Sequence, residues 1–160
     1  MAVVKQRREA NRMTTDNGKP SLEEMLAWRG SSGIVDFIGH KMTHLGPDIA
    51  VVELDVGDQF MNRGGSVHGG VYCLLMDTAG GYAGVYSEDP DDLHSFITVS
   101  LSTNFIGAPD GKKLIATGRR RGGGRSTFFS DTEVKDETGK LLATGSGAFR
   151  KIAVERADRD

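Results

Sequence analysis

The chain has 160 residues, of which 26% are charged and 38% hydrophobic, and its formal net charge is −2. This length suits one domain with a substantial core, and the near balance of charge excludes a generally basic surface for nucleic acid or membranes. The single cysteine excludes an internal disulfide and indicates a reducing compartment. The sequence has neither a signal-peptide segment nor an apolar run of the roughly 20 residues that a membrane span requires, so we expect a cytoplasmic protein.

A charged segment forms the first part of the chain. It combines four basic residues and one glutamate with a turn-forming stretch: Lys5, Arg7, Arg8, Glu9, Arg12 and residues 14–20. This composition predicts a flexible arm, residues 1–20, ahead of a folded domain, residues 21–155. Because no aromatic residue is interleaved with these charges, a solvated arm or a frayed helix is favoured over nucleic-acid binding.

A short helix and a pair of strands are predicted next. Ser21 is a typical N-cap with Glu24 as its capping-box partner, and the helix ends near Gly30. Hydrophobic alternation from Val35 to Val56 then predicts two strands. They are joined by a turn at residues 46–48, and the second strand covers residues 49–54.

The segment from His68 to Tyr86 predicts a long helix with two different faces. At 100° per residue, its apolar arc contains Val71, Leu74, Leu75, Ala79, Tyr82 and Val85. The opposite face contains Gly70, Cys73, Asp77, Gly80, Gly81 and Gly84. Four helical glycines cost together about 4 kcal/mol relative to alanine, because each loses extra conformational entropy. We therefore expect a second backbone or a thin ligand to approach this face closely, beside the Asp77 carboxylate.

Asp77 and His68 are the candidate functional groups of this helix. A carboxylate is costly to bury without a partner or a task, which favours a functional Asp77, although an ordinary solvated aspartate is also compatible with the pattern. His68 lies at the helix start, where the glycines after it present backbone N–H groups at the positive end of the helix dipole. Such groups bind a phosphate, a carboxylate or the oxyanion of an acyl-transfer intermediate.

The rest of the chain predicts strands. Residues 96–106 alternate strictly, with one face formed by Ile97, Val99, Leu101, Thr103 and Phe105 and the other by Thr98, Ser100, Ser102 and Asn104. Three further strands are predicted near residues 112–120, 125–135 and 140–150, with a hairpin turn at residues 136–139. One long helix followed by a run of strands, without alternating βαβ units, predicts an α+β domain with an antiparallel sheet.

Several motifs occur together along most of the chain. They are Asn62, the triplet His68-Gly69-Gly70, Asp77 nine residues after the histidine, and the segments at residues 98–105 and 139–145. In order and spacing they resemble the hotdog-fold acyl-CoA thioesterases, specifically the branch of the phenylacetate-degradation and 4-hydroxybenzoyl-CoA thioesterases. The resemblance implies a sheet wrapped around one long central helix, and hydrolysis of an acyl- or aryl-CoA thioester to free acid and coenzyme A.

The resemblance also implies a mechanism. The acidic residue, Asp77 here, would activate water as a general base or attack directly as a nucleophile. It would act across a dimer interface, on a thioester carbonyl polarised by the Gly69 backbone N–H of the other subunit. The implied assembly is a homodimer, which many members of the family pair into a homotetramer.

Three further residues match supporting positions of that family. Asn62 matches a residue that orients substrate or water, and His68 is expected to hold the turn rather than to transfer protons. Thr98 matches a hydroxyl close to the acidic residue. Neighbouring Ser100 and Ser102 compete for that role, and the polar face of their strand is equally compatible with simple exposure to solvent.

A cluster of arginines is the candidate binding site for the phosphates of coenzyme A. Four guanidiniums flank a run of glycines, in the order Arg119, Arg120, Arg121, Gly122, Gly123, Gly124 and Arg125. Around a flexible turn they can hydrogen-bond phosphate oxygens. The candidate substrate-binding residues are Gly70, Arg120, Arg121, Gly123 and Arg125. A hairpin turn with solvated arginines is the alternative.

No metal or other cofactor is predicted, because His40, His44, His68 and His94 lack a matching set of ligand spacings and no phosphate-loop or dinucleotide motif is present. Two alternatives to a thioesterase stay open. One is a non-catalytic acyl-CoA-binding hotdog module with a regulatory role. The other is a hotdog hydratase or dehydratase, whose differently spaced Asp and His motif we do not find.

Overall fold

The computed structural model describes residues 18–154, so most of the predicted N-terminal arm, residues 1–17, lies outside the described part. The helices of that part are α1 (Leu22–Arg29), α2 (Gly33–Ile38) and α3 (Gly69–Tyr82), with a 3₁₀ turn at Asp58–Phe60. The strands are β1 (Lys41–Gly46), β2 (Ile49–Asp55), β3 (His94–Phe105), β4 (Lys113–Gly123), β5 (Thr127–Asp136) and β6 (Leu141–Ala153). None of these helices is long and apolar enough to cross a membrane.

The strands form one antiparallel sheet in the order β1-β2-β4-β5-β6-β3. Helix α3 lies across one face of this sheet and contacts β2, β3, β4, β5 and β6. The core that holds them together combines buried residues of the helix and of four strands: Leu75, Met76 and Ala79 with Val52, Leu114, Val134 and Leu142. The predicted α+β hotdog fold, with a sheet around one long central helix, is confirmed.

Local signals in the sequence placed α1 correctly. The Ser21 hydroxyl accepts a bond from the Glu24 N–H at 3.2 Å, and the Glu24 carboxylate accepts from the Ser21 N–H at 2.8 Å. This is the predicted capping box, and Gly30 ends the helix with a φ of 71°. Arg29 ties the helix to the rest of the domain by donating to the carbonyls of His94 and Val85.

The segment after α1 differs from the prediction. A strand beginning at Val35 is wrong, because Gly33–Ile38 forms helix α2 and the first strand begins at Lys41. Gly39, with a φ of 76°, closes the helix and turns the chain into the strand. The β-branched and aromatic residues of α2 mimic a strand in sequence, and a six-residue helix is too short to display a helical period.

The glycine face of α3 packs on the protein's own sheet. Side chains at Gly81 and Gly84 would collide with the rings of Phe96 and Phe128, and a side chain at Gly118 of β4 would collide with the backbone of Ala79. The close approach expected from the sequence therefore exists: β4 supplies the second backbone, and aromatic rings of β3 and β5, rather than a thin ligand, pack against Gly81 and Gly84. The helix also ends at Tyr82, four residues before its predicted end.

Strand β3 contains a β-bulge that decides which side chains face the helix. The pairing with β6 shifts between Thr98 and Ser100 and leaves Val99 without a partner position. Such a bulge shifts the alternation by one residue. Thr98 and Thr103 both contact residues of α3, so they lie on the same side of the sheet. The strict alternation predicted from the sequence, which separates these two threonines, is wrong for this reason.

Candidate active site

A short loop before α3 holds the first half of the candidate site. Met61 pairs with Val67 as an isolated bridge, and the His68 N–H donates to the Phe60 carbonyl at 2.8 Å. The side-chain oxygen of Asn62 accepts bonds from the backbone N–H groups of residues 64 and 66, at 2.8 and 3.2 Å. Asn62 therefore shapes the loop through its oxygen, and these bonds leave its amide NH₂ available.

His68 is the N-cap of α3. Its Nδ1 accepts a bond from the Gly70 N–H at 3.0 Å, so the neutral ring carries its proton on Nε2. Gly69 is the first residue of the helix, where the backbone N–H has no partner within the helix and points along the positive end of the dipole. The chain thus presents the Gly69 N–H beside a histidine whose orientation is held by the helix backbone.

Asp77 is the second half of the candidate site. The carboxylate is partly buried, and its Oδ1 accepts a hydrogen bond from the Thr98 hydroxyl at 2.6 Å. Among the described residues no other side chain bonds to it, so Oδ2 is available to a water or a substrate. Thr98, next to the bulge in β3, is therefore the partner of Asp77 rather than Ser100 or Ser102.

The two halves are separated along one helix. Gly69 and Asp77 lie eight residues apart, which corresponds to about 12 Å at the helical rise of 1.5 Å per residue. A single thioester carbonyl cannot contact both groups of the same chain at that distance. Within one chain, therefore, the candidate carbonyl-binding N–H and the candidate carboxylate lie too far apart along the helix axis to contact one carbonyl directly.

The arginine cluster is arranged differently from the predicted flexible turn. Its first three arginines belong to β4, where Arg120 pairs with Asp48 at 3.1 Å and Arg121 with Asp131 at 2.7 Å. Only residues 124–126 form the turn between strands, and Arg125 is exposed there. The expectation of four guanidiniums around one loose turn is therefore wrong. Gly123 fits closely against β5, where a side chain would meet the backbone of Thr127.

Two cavities lie along the side of α3 that faces α1 and α2. The first, of about 460 Å³, adjoins the His68 turn and is lined by Phe37, Ile38, Phe60, Met61, Gly70 and Leu74. The second, of about 580 Å³, lies further along the helix and includes Thr78 and Tyr82. Its wall contains His40, which is 5% exposed and was not predicted as a site residue. No neighbouring motif in the sequence marks this histidine.

The residues described contain no group of three or more His, Cys, Asp or Glu side chains positioned to hold a metal ion.

The family is settled by the match of residues 64–143, which are 80 of the 160 residues, to the model described as Thioesterase superfamily. The chain belongs to the thioesterase superfamily. It is accordingly a hydrolase of thioesters.

Individual relatives agree with this assignment. A 1,4-dihydroxy-2-naphthoyl-CoA hydrolase of Listeria monocytogenes is 27% identical, over 69% of this chain and 88% of its own length. A conserved protein of Pseudomonas aeruginosa superposes with a TM-score of 0.70 at 29% identity, over 83% of this chain and all of its own. The PaaI protein from the phenylacetic acid degradation operon of E. coli has the same fold, with a TM-score of 0.68 at 24% identity, over 79% of this chain and 89% of its own.

Proposed function

We propose that this thioesterase hydrolyses acyl-CoA thioesters in a site shared by two copies of the chain. Asp77 of one subunit acts on a carbonyl held by the Gly69 N–H of the other. The observation that carries the proposal is the Thr98–Asp77 hydrogen bond, because it holds one carboxylate oxygen and leaves the second available to attack or to deprotonate water. Substrates of the phenylacetate-degradation and 4-hydroxybenzoyl-CoA branch are the class we favour, supported by the Listeria relative's name.

The proposed reaction uses each of the named groups. Asp77 takes a proton from water as the water oxygen bonds to the carbonyl carbon, or it attacks that carbon itself and water later releases the acid. Negative charge develops on the carbonyl oxygen, where the Gly69 N–H and the helix dipole stabilise it. The carbon–sulfur bond then breaks, and the coenzyme A thiolate leaves and is protonated. The Asn62 amide orients the substrate or the water, and His68 holds the turn.

An exposed sheet edge supports the shared site. Strand β3 is an edge strand of the sheet formed by the described residues, and it presents Ile97 and Val99, which are 54% and 63% exposed. A long apolar edge strand is a template for pairing with another strand. Thr98, the partner of Asp77, lies on this strand between the two exposed residues. Pairing through β3 therefore places a second copy beside the carboxylate, and a pair of such dimers would give a tetramer.

Binding of the nucleotide is proposed at the positive groups near the strand ends. Arg125 is exposed on its turn, whereas Arg120 and Arg121 must exchange an aspartate partner for a phosphate. The N–H groups at the start of α3, including that of Gly70, are already oriented by His68. Together with Gly123, which shapes the turn, these residues remain the candidates for contacts to coenzyme A.

Variants at Asp77 and Gly69 test the proposal. We expect Asp77→Asn to lower kcat by about 10²–10⁴-fold, the usual loss for a catalytic base. Gly69→Pro removes the N–H but suits the first position of a helix, so we expect about 10²–10³-fold loss in kcat with an intact fold. Gly69→Ala is the matched control, since it adds the same Cβ near the Phe105 ring and keeps the N–H.

The measurement is release of the coenzyme A thiol from a panel of acyl-CoA substrates, with circular dichroism to verify folding. Near wild-type turnover by folded Asp77→Asn protein contradicts the assignment of Asp77. Tight binding of an acyl-CoA without any thiol release from any substrate indicates the alternative, a regulatory acyl-CoA-binding module.

A further inference from the structure

The second cavity lies along the helix that carries the proposed catalytic carboxylate, on a face that Asp77 itself does not line. Thr78 follows Asp77 directly in α3 and lines this cavity, which α1, α2 and β1 enclose on the other sides. Its wall is largely apolar, formed by Leu26, Ala27, Val35, Met42 and Tyr82. A volume of about 580 Å³ is within the usual range for small-molecule sites. An apolar cavity of this size suits an acyl group better than a charged nucleotide.

His40 is the polar side chain of this wall whose Nδ1 has no hydrogen-bond partner among the described residues. It is 5% exposed, and among the described residues nothing hydrogen-bonds its buried Nδ1. The Thr78 hydroxyl already donates to the Leu74 carbonyl at 2.9 Å. The Ser31 hydroxyl donates to Asp36 at 2.6 Å. Lys41 is exposed, so its ammonium has water available.

A buried imidazole without a partner is costly, and natural proteins retain such groups rarely. Burial also lowers the pKa of His40, so the ring is neutral at physiological pH. A neutral imidazole offers one donor and one acceptor nitrogen. It therefore matches an uncharged polar group, such as a hydroxyl or a carbonyl, rather than a carboxylate or an ammonium, whose burial in an apolar cavity carries a much larger penalty.

We infer that this cavity receives the acyl group of the substrate and that His40 hydrogen-bonds a neutral polar substituent carried on that group away from the thioester. The inference rests on the proposed function, because an acyl-CoA thioesterase must hold the acyl group of its substrate. His40 is thus a specificity-determining residue, since a site built to hydrogen-bond a substrate group discriminates against the analogue that lacks it.

The test compares matched substrates that differ by one hydroxyl. The pairs are benzoyl-CoA with 4-hydroxybenzoyl-CoA, and octanoyl-CoA with 8-hydroxyoctanoyl-CoA. We expect wild-type protein to prefer the hydroxylated member of at least one pair in kcat/KM. His40→Leu should lower that preference about tenfold, the usual contribution of one neutral hydrogen bond. His40→Gln, which keeps a donor and an acceptor, should restore part of it.

His44→Leu is the control, because His44 is an exposed histidine of β1, four residues after His40. An unchanged preference in active His40→Leu protein, or a wild-type preference for the unsubstituted member of both pairs, overturns the inference and leaves the thioesterase proposal intact.

If the wild type releases no thiol from any substrate, titration calorimetry with 4-hydroxybenzoate and benzoate tests the cavity assignment separately. Tighter binding of the hydroxylated acid, lost in His40→Leu and regained in His40→Gln, then supports the cavity assignment. Equal binding of the two acids rejects it.

Discussion

Thr98 holds one oxygen of the Asp77 carboxylate through a hydrogen bond of 2.6 Å. Loss of this bond leaves the carboxylate free to rotate, so we expect Thr98→Val to lower kcat about tenfold with a smaller effect on KM. Thr98→Ser, which keeps the hydroxyl, should recover most of the rate. Thr103→Val is the matched control, since Thr103 faces α3 from the same strand and contacts Cys73 instead. Equal losses in steady-state kcat for the Thr98 and Thr103 variants contradict the positioning role.

Asp136 is a buried carboxylate whose role is structural. It is 1% exposed at the end of β5 and belongs to the predicted hairpin turn. The Thr138 hydroxyl, followed by the backbone N–H groups of Asp110, Lys140 and Thr138, lowers its pKa to about 2. A carboxylate with a depressed pKa stabilises the fold above its unfolded value of 3.8, and this stabilisation is lost as the pH falls through 2.

We therefore expect Asp136→Asn to have a lower Tm than the wild type at pH 7. The difference should shrink as the pH falls from about 4 toward 2, where the wild-type carboxylate is protonated and its advantage disappears. Thermal unfolding of both proteins, followed by circular dichroism over this pH range, measures the effect. A difference in Tm that stays constant with pH shows that Asp136 acts through shape rather than charge.

At the scale of elements, the distance between α3 and β4 depends on Gly118. A side chain there would meet the backbone of Ala79 and Gly80, which has no rotamer by which to move away. We expect Gly118→Ala to lower the free energy of unfolding by about 1–3 kcal/mol, as overpacking of a well-packed core does. Gly124→Ala is the control, because it lies in the open turn with no atom near its Cβ position. Denaturant unfolding that gives equal stability for the two variants refutes the close-packing account.

At the scale of the whole molecule, we propose that a second chain completes the site, because Gly69 and Asp77 lie about 12 Å apart along one helix. Mixing Asp77→Asn with Gly69→Pro protein therefore tests the assembly. A dimer of either variant alone has no complete site. A mixed dimer has one complete site, which combines the intact Gly69 of one chain with the intact Asp77 of the other. Random exchange of subunits should restore about a quarter of wild-type activity.

The measurement is thiol release before and after the two variants are unfolded together and refolded. Two copies of the same variant, treated in the same way, provide the control for refolding yield. Activity that stays at the level of the single variants, although the mixed dimers form, contradicts a shared site.

Features that depend on local chemistry could be predicted from the sequence alone. Ser21 and Glu24 identified the start of α1, residues 136–139 identified a hairpin turn, and the strands of the second half lay close to their predicted ranges. The spacing from His68 to Asp77 identified the fold by resemblance. Caps, turns and helical periodicity involve residues only a few positions apart, so the sequence itself contains the signals that predict them.

Most contacts between distant side chains could be identified from the folded structure alone. The bulge at Val99 placed Thr98 on Asp77, the aspartates at positions 48 and 131 engaged two arginines, and aromatic rings of the sheet filled the glycine face of α3. The isolated His40 likewise gained its cavity from elements far along the chain. Such contacts depend on how distant segments pack and on the register in which their strands pair. Neither property produces a periodic pattern in the sequence of a single segment.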